Sequence, residues 1–249
     1  MLDLALPLAF GFSLVLFRTA GLCLTAPVFS TTAVPARLRL AISIAVALAV
    51  FCGAGMPQTA PPQTLLAIAG SSLAETAIGA AAGLCARFLI EAAQAAGSVA
   101  GLSAGLGYGA LVDPFNGAAS SVAGQLFSLL ALGLAIGANL HGEAIGWLAR
   151  SVAAHPPGAS VNLVGLASTT VATAIAACTL SIRLTFPFLG AGLMAHAAMG
   201  VLNRATPQLN VTSIGFSISL ASGGVAIYLV APAAADAAAR AAITVFARG

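Results

Sequence analysis

The chain has 249 residues, 60% of them apolar and only 6% charged, where soluble domains carry about 25% charged residues. That balance excludes a water-soluble globular domain and marks an integral membrane protein. A formal net charge of +3 over this length leaves no basic stripe of the kind a nucleic acid needs.

The N-terminus lacks the basic region of a secretory signal and carries Asp3, so residues 4–29 read as a retained first hydrophobic segment. They exceed the ~20 residues needed for one bilayer crossing. Arg18 lies well inside this segment, and the cost of a lone arginine in lipid predicts that it faces protein or water rather than acyl chains. Residues 30–39 form a connector in which Pro35, Arg37 and Arg39 cluster, and two arginines in a short loop favour the cytoplasmic side. A second apolar segment, residues 38–56, is followed by the uncharged, proline-rich turn at 57–63.

Residues 64–112 contain no turn signal and are too long for one span. Glu75, Gly79, Gly83, Arg87 and Glu91 follow one another at intervals of four, so charges and glycines share one helical ridge. Gly97, Gly101, Gly105 and Gly109 continue at the same interval, beside Ala92, Ala96, Ala100 and Ala104. Such a small-sided row predicts backbone-to-backbone packing against another helix or another subunit. Arg87 and Glu91 are also spaced to pair with each other on a solvated face. The small-sided stretch 91–112 is expected not to span, and Asp113-Pro114 with Asn116-Gly117 then turn the chain.

Residues 122–152 read as one further segment, with glycine pairs at Gly133/Gly137 and Gly142/Gly146 and with Asn139, His141, Glu143 and Arg150 as polar members. The segment after His155-Pro156-Pro157-Gly158 runs from about 161 to 204, with Pro187 as an expected kink. A turn at 205–210 leads to residues 211–232, and 233–249 read as a separate short alanine-rich helix. Arginine counting gives no consistent topology. Placing Arg37 and Arg39 inside puts Arg240 and Arg248 outside if all six segments span.

The chemistry of a catalyst is missing. No nucleophile elbow, phosphate loop or dinucleotide fingerprint occurs, and no acid–base pair can be assembled from spacing. His141-Gly142-Glu143 has no second ligand pair, and Cys23, Cys52, Cys85 and Cys178 lie far apart in apolar stretches without metal-ligand spacing. The expectation is no enzyme, no cofactor and no metal.

Several stretches together resemble the FliR family, flagellar biosynthetic proteins of the type III export gate with relatives in the injectisome. They are Arg18-Thr-Ala-Gly with Thr25-Ala-Pro27-Val-Phe, Val34-Pro35-Ala-Arg37-Leu-Arg39, and Glu75-Thr-Ala-Ile-Gly79 with Gly83-Leu-Cys-Ala-Arg87. Gln94-Ala-Ala-Gly97, Gly105-Leu-Gly107-Tyr108-Gly109-Ala-Leu-Val-Asp113-Pro114, Gly124-Gln125 and Asn139-Leu-His141 follow in family order. Leu202-Asn-Arg204-Ala-Thr-Pro207-Gln208-Leu-Asn210 comes near the end. The resemblance covers about residues 10–230. The family usually has Asn-Gly-His where this chain has Asn139-Leu-His141, and the last fifteen residues match nothing in particular.

The resemblance implies an all-α integral membrane protein of five to six hydrophobic helices, arranged as hairpins within a helical gate assembly for unfolded export substrates. Residues 1–160 would be similar to the larger, multi-copy gate subunit and 161–249 to the small two-helix subunit. Those two subunits, the substrate-specificity switch protein and the large export-gate protein would be its partners. Its place would be the bacterial inner membrane at the flagellar basal body. Gly105, Gly107, Tyr108, Gly109, Asp113, Pro114, Phe115 and Asn116 would form a plug in the pore. Arg18, Glu75, Gly79, Gly83, Arg87, Glu91, Gly97, Gly101, Arg204, Pro207, Gln208 and Asn210 would serve helix and subunit packing. A small-molecule or ion transporter using Arg18, Glu75, Arg87 and Glu91 is the competing class, but the halves show none of the matched broken helices of inverted repeats.

Overall fold

The computed structural model describes residues 2–31, 34–105, 121–205 and 211–248. Among these, seven α-helices and no strands occur: α1 (Leu2–Thr25), α2 (Ala36–Gly53), α3 (Leu65–Ser103), α4 (Val122–Gly137), α5 (Leu140–Ala154), α6 (Leu163–Ala205) and α7 (Val211–Arg248). Five of them are long and apolar enough to cross a membrane, and six spans result if α4 and α5 count as one broken crossing. The all-α membrane fold with five to six hydrophobic helices is therefore present.

Three boundaries differ from the sequence reading. Residues 122–152 are two helices, because Asn139 adopts a left-handed conformation (φ 66°) between them. Asparagine is one of the few residues that does so at low cost. Residues 91–103 do not form a separate element; α3 runs unbroken through them and belongs to a 39-residue helix that qualifies as a span. Residues 233–248 are likewise no separate helix, since α7 continues through Pro232. Proline is tolerated inside membrane helices, where neighbouring groups satisfy the carbonyl it frees.

Two compact units emerge, and several helices contribute to both. The first holds residues 1–88, 136–174 and 241–249. Its core is built from Leu14, Val15 and Leu22 of α1, Val50 and Phe51 of α2, and Leu140, Leu148 and Val152 of α5, with Phe246 from the end of α7. Phe12 meets Phe51 edge to face at 5.6 Å between centroids, a geometry that suits the ring quadrupoles. Arg150 donates to the Phe246 carbonyl oxygen at 2.6 Å, so a cation meets one of the last carbonyls of α7, which helix geometry leaves without an internal partner.

The second unit holds residues 89–135 and 175–240. Its interior is largely alanine: Ala93, Ala96 and Ala100 of α3, Ala123 and Ala131 of α4, and Ala235 and Ala238 of α7 are all at most 4% exposed. Phe127 and Phe188 pack edge to face at 5.6 Å and supply its main large side chains. Small residues bury little area each, but they bring backbones close enough for extensive van der Waals contact, the main association force in lipid.

Candidate functional site

In the first unit, α1 and α3 approach until their backbones touch. A Cβ at Gly79 would overlap the carbonyl oxygen of Arg18, and one at Gly21 would overlap that of Thr76. One at Gly83 would collide with the Thr25 hydroxyl and lie 2.7 Å from the Ala26 nitrogen. Thr25 Oγ1 donates across the contact to the Ala80 carbonyl at 3.0 Å. Two glycines of the four-residue row are thus occupied by a helix of the same chain, and Gly21 on the opposing helix completes the fit.

That approach places Arg18 against Glu75. Arg18 Nε donates to Glu75 Oε2 at 2.6 Å, and both side chains are 1% exposed. Arg18 also donates through Nη1 to Ser151 Oγ and through Nη2 to the His155 carbonyl, each at 3.1 Å. The second Glu75 oxygen accepts the Gly158 backbone N–H at 2.9 Å. Gly158 has φ +82°, a conformation in which a side chain is strained. The charged pair thereby fastens the His155–Gly158 turn to α1 and α3, and Thr59 adds a third attachment by donating to the Pro157 carbonyl at 3.0 Å. An isolated buried charge is expensive, and what makes this pair tolerable is the full set of partners around it. A cavity of about 530 Å³ lies alongside, lined by Arg18, Trp147, Ser151, His155 and Asn162 among others.

In the second unit the same glycine row meets a different helix. A Cβ at Gly97 would lie 2.7 Å from the Phe127 ring and 2.8 Å from the Ala123 carbonyl oxygen. One at Gly101 would lie 2.6 Å from Ser121 Oγ. Gly124 of α4 returns the approach, its Cβ position lying 3.0 Å from the Gln94 carbonyl oxygen. The row ends at Gly105, whose φ of +79° closes α3 with a left-handed residue and a 3.1 Å bond from its N–H to the Leu102 carbonyl.

This helix end is held from two further sides. Ser219 of α7 donates to the Ser103 carbonyl at 3.2 Å. A Cβ at Gly192 of α6 would sit 3.0 Å from Ser103 Cβ, and one at Gly223 of α7 would overlap Ala104. The point from which residues 106–120 depart is therefore tightly fixed. Gly107, Tyr108, Gly109, Asp113, Pro114, Phe115 and Asn116 lie outside the described residues, as do Pro207, Gln208 and Asn210.

The remaining expected residues are more dispersed. Arg87 and Glu91 are exposed on α3 and both are engaged, so neither is an unpaired charge. Arg204 is exposed in the last turn of α6, where a cation suits the helix dipole. His141 is exposed at the start of α5, and no group of three metal-ligating side chains occurs among the described residues. Sequence spacing did not reveal Gly21, Ser151, Gly158, Gly192 or Gly223. Their partners lie dozens of residues away, and only the Pro-Pro-Gly run at 156–158 hinted at a left-handed glycine.

A family model described as bacterial export proteins, family 1, matches residues 9–243, extending the resemblance almost to the chain's end. The chain is 28% identical over 209 residues to the flagellar biosynthetic protein FliR of Escherichia coli (strain K12), covering 84% of this chain and 79% of that protein. It is 28% identical over 216 residues to the protein of the same name from Pectobacterium carotovorum subsp. carotovorum, covering 86% and 82%. To that of Bacillus subtilis (strain 168) it is 27% identical over 216 residues, covering 85% and 82%.

Proposed function

The chain belongs to the bacterial export proteins, family 1, and from that premise we propose that it is a membrane subunit of the flagellar type III protein export gate, helping to form and close the channel for unfolded substrates. The match over residues 9–243 carries this reading. The family consists of export-apparatus membrane proteins, not enzymes. The membrane-capable helices and the small-residue packing suit a part whose work is to assemble and hold shape.

Within that reading, residues 1–160 correspond to the larger multi-copy gate subunit and 161–249 to the small two-helix subunit. Those proteins, the specificity switch and the large export-gate protein are its neighbours in the inner membrane at the basal body. Residues 108–120, which follow the clamped end of α3, serve as a plug across the pore. Support for the plug comes from its attachment. A closing element must be rooted rigidly, and Gly192, Ser219 and Gly223 grip the residues just before it.

Deleting the gene in its host and assaying secretion tests the function. Loss of flagellar export substrates from the medium and of motility, both restored by the intact gene, is the expected result. Normal flagella with loss of effector secretion would move the chain to an injectisome gate. Normal flagella with loss of a solute uptake activity would move it to a transporter.

A further inference from the structure

The helix α6 has 43 residues and is therefore about 65 Å long at ~1.5 Å per residue. A bilayer core is about 30 Å thick, and helix tilts of about 0–40° absorb only part of the excess. About half of α6 must therefore lie outside the acyl chains. Yet both halves are bare and apolar: Val164, Val171, Ile175 and Ile182 are exposed in one, and Phe186, Leu193, Met194 and Val201 in the other. Only 6% of the residues in its most apolar stretch are buried. Apolar surface of that extent outside lipid must be covered by protein.

The single charge near the middle of this helix is Arg183. It is exposed, and among the described residues it makes no hydrogen bond or ion pair. Its neighbours one and three positions along, Ile182 and Phe186, are 61% and 66% exposed. They give the patch around Arg183 an apolar rim, the surroundings of an anchor within an interface rather than of a side chain in a watery lumen. A guanidinium closed into an apolar interface needs a carboxylate or equivalent acceptors. A second copy of α6 offers none, because the helix contains Arg183 and Arg204 but no aspartate or glutamate.

We infer that the Arg183 face of α6 docks a helix from a different membrane subunit, and that this helix places a carboxylate against Arg183. The inference rests on the reading of the chain as a gate subunit, and it adds the chemistry of one contact. Arg183 is exposed and, among the described residues, makes no hydrogen bond or ion pair, so substitutions there are expected to leave the chain's folding unchanged and to act on association.

The test is co-purification of the gate subunits with a tagged chain from host membranes in mild detergent. Arg183→Ala and Arg183→Glu are expected to lower recovery of one subunit by about tenfold or more, since removing one member of a desolvated interfacial pair has effects of that size. Arg183→Lys should retain part of it. Recovery of assembly by Arg183→Glu when one acidic residue in that subunit's membrane helix is changed to arginine would establish the pairing. Undiminished recovery with Arg183→Glu would overturn the inference, as would equal loss with Arg183→Lys and Arg183→Ala. If the unaltered chain brings down no gate subunit at all, the function proposed above fails instead.

Discussion

The buried pair between α1 and α3 gives the most quantitative prediction. Arg18→Met removes the guanidinium and keeps much of its apolar volume. It leaves a carboxylate that is 1% exposed with the Gly158 N–H as its remaining hydrogen-bond donor, and it strips the donor from Ser151 and from the His155 carbonyl. Breaking one side of a buried pair costs about 3–5 kcal/mol. For a chain of this length that lowers the melting temperature by roughly 6–20 °C. The double variant Arg18→Met/Glu75→Leu leaves the Gly158 N–H, the Ser151 hydroxyl and the His155 carbonyl without these partners, about 1–3 kcal/mol for a buried group so orphaned, but it leaves no buried unpaired carboxylate. The double should therefore be more stable than Arg18→Met alone. The assay heats the purified protein in detergent and measures the surviving monodisperse fraction by size exclusion. A single variant melting within about 2 °C of the parent, or a double whose loss equals the sum of both singles, would refute the account of the pair as mutually dependent.

Two other predictions come from the glycine row. Gly79→Ala places its methyl group on the Arg18 backbone carbonyl and should sharply reduce folded yield, whereas Gly133→Ala, with nothing within 4 Å of its Cβ position, should leave yield unchanged; equal behaviour of the two in a detergent-stability assay would refute the close approach of α1 and α3. Deleting residues 108–120 should leave the complex assembled and raise ion leakage across membranes that contain it. An unchanged leak in an assembled complex would remove the plug from the proposal.

Much of this was legible in the sequence, for identifiable reasons. The four-residue intervals within Gly79/Gly83 and within Gly97/Gly101 are properties of one helix, so the close approach could be read from spacing alone. Which helix fills each part of the row could not, because α1 covers the first two glycines and the Ser121–Phe127 region covers the next two. The cost of a buried arginine predicted that Arg18 would find protein, but its partner Glu75 is 57 residues away and looked from spacing like a member of the Arg87–Glu91 row. The break at Asn139 depends on one left-handed residue inside an apolar stretch, which leaves no mark on periodicity. The continuity of α7 through Pro232 went unseen because proline signals a stop in water and is a weaker signal in a membrane helix.

The inconsistent arginine count has a physical origin in the same features. The positive-inside rule applies to charges in short loops at the membrane faces of helices that cross once. Here α3, α6 and α7 have 39, 43 and 38 residues, each far longer than the ~20 that a bilayer requires. Arg18 is buried against Glu75, Arg240 pairs with Asp236 within α7 at 2.8 Å, and Arg150 is bound to the Phe246 carbonyl. Arg183 stands in mid-helix, outside any loop. Of the nine basic residues, Arg37 and Arg39 in the first turn of α2 and Arg204 in the last turn of α6 lie beside connectors between helices, so these three carry the loop signal the rule reads. A chain whose charges are used for packing, and whose helices outrun the bilayer, has a topology set by what it assembles with. Measuring which of Arg37 and Arg183 is reached by a membrane-impermeant arginine reagent, in the isolated chain and again in the complex, separates the two uses: Arg37 should react in both, and Arg183 only before assembly.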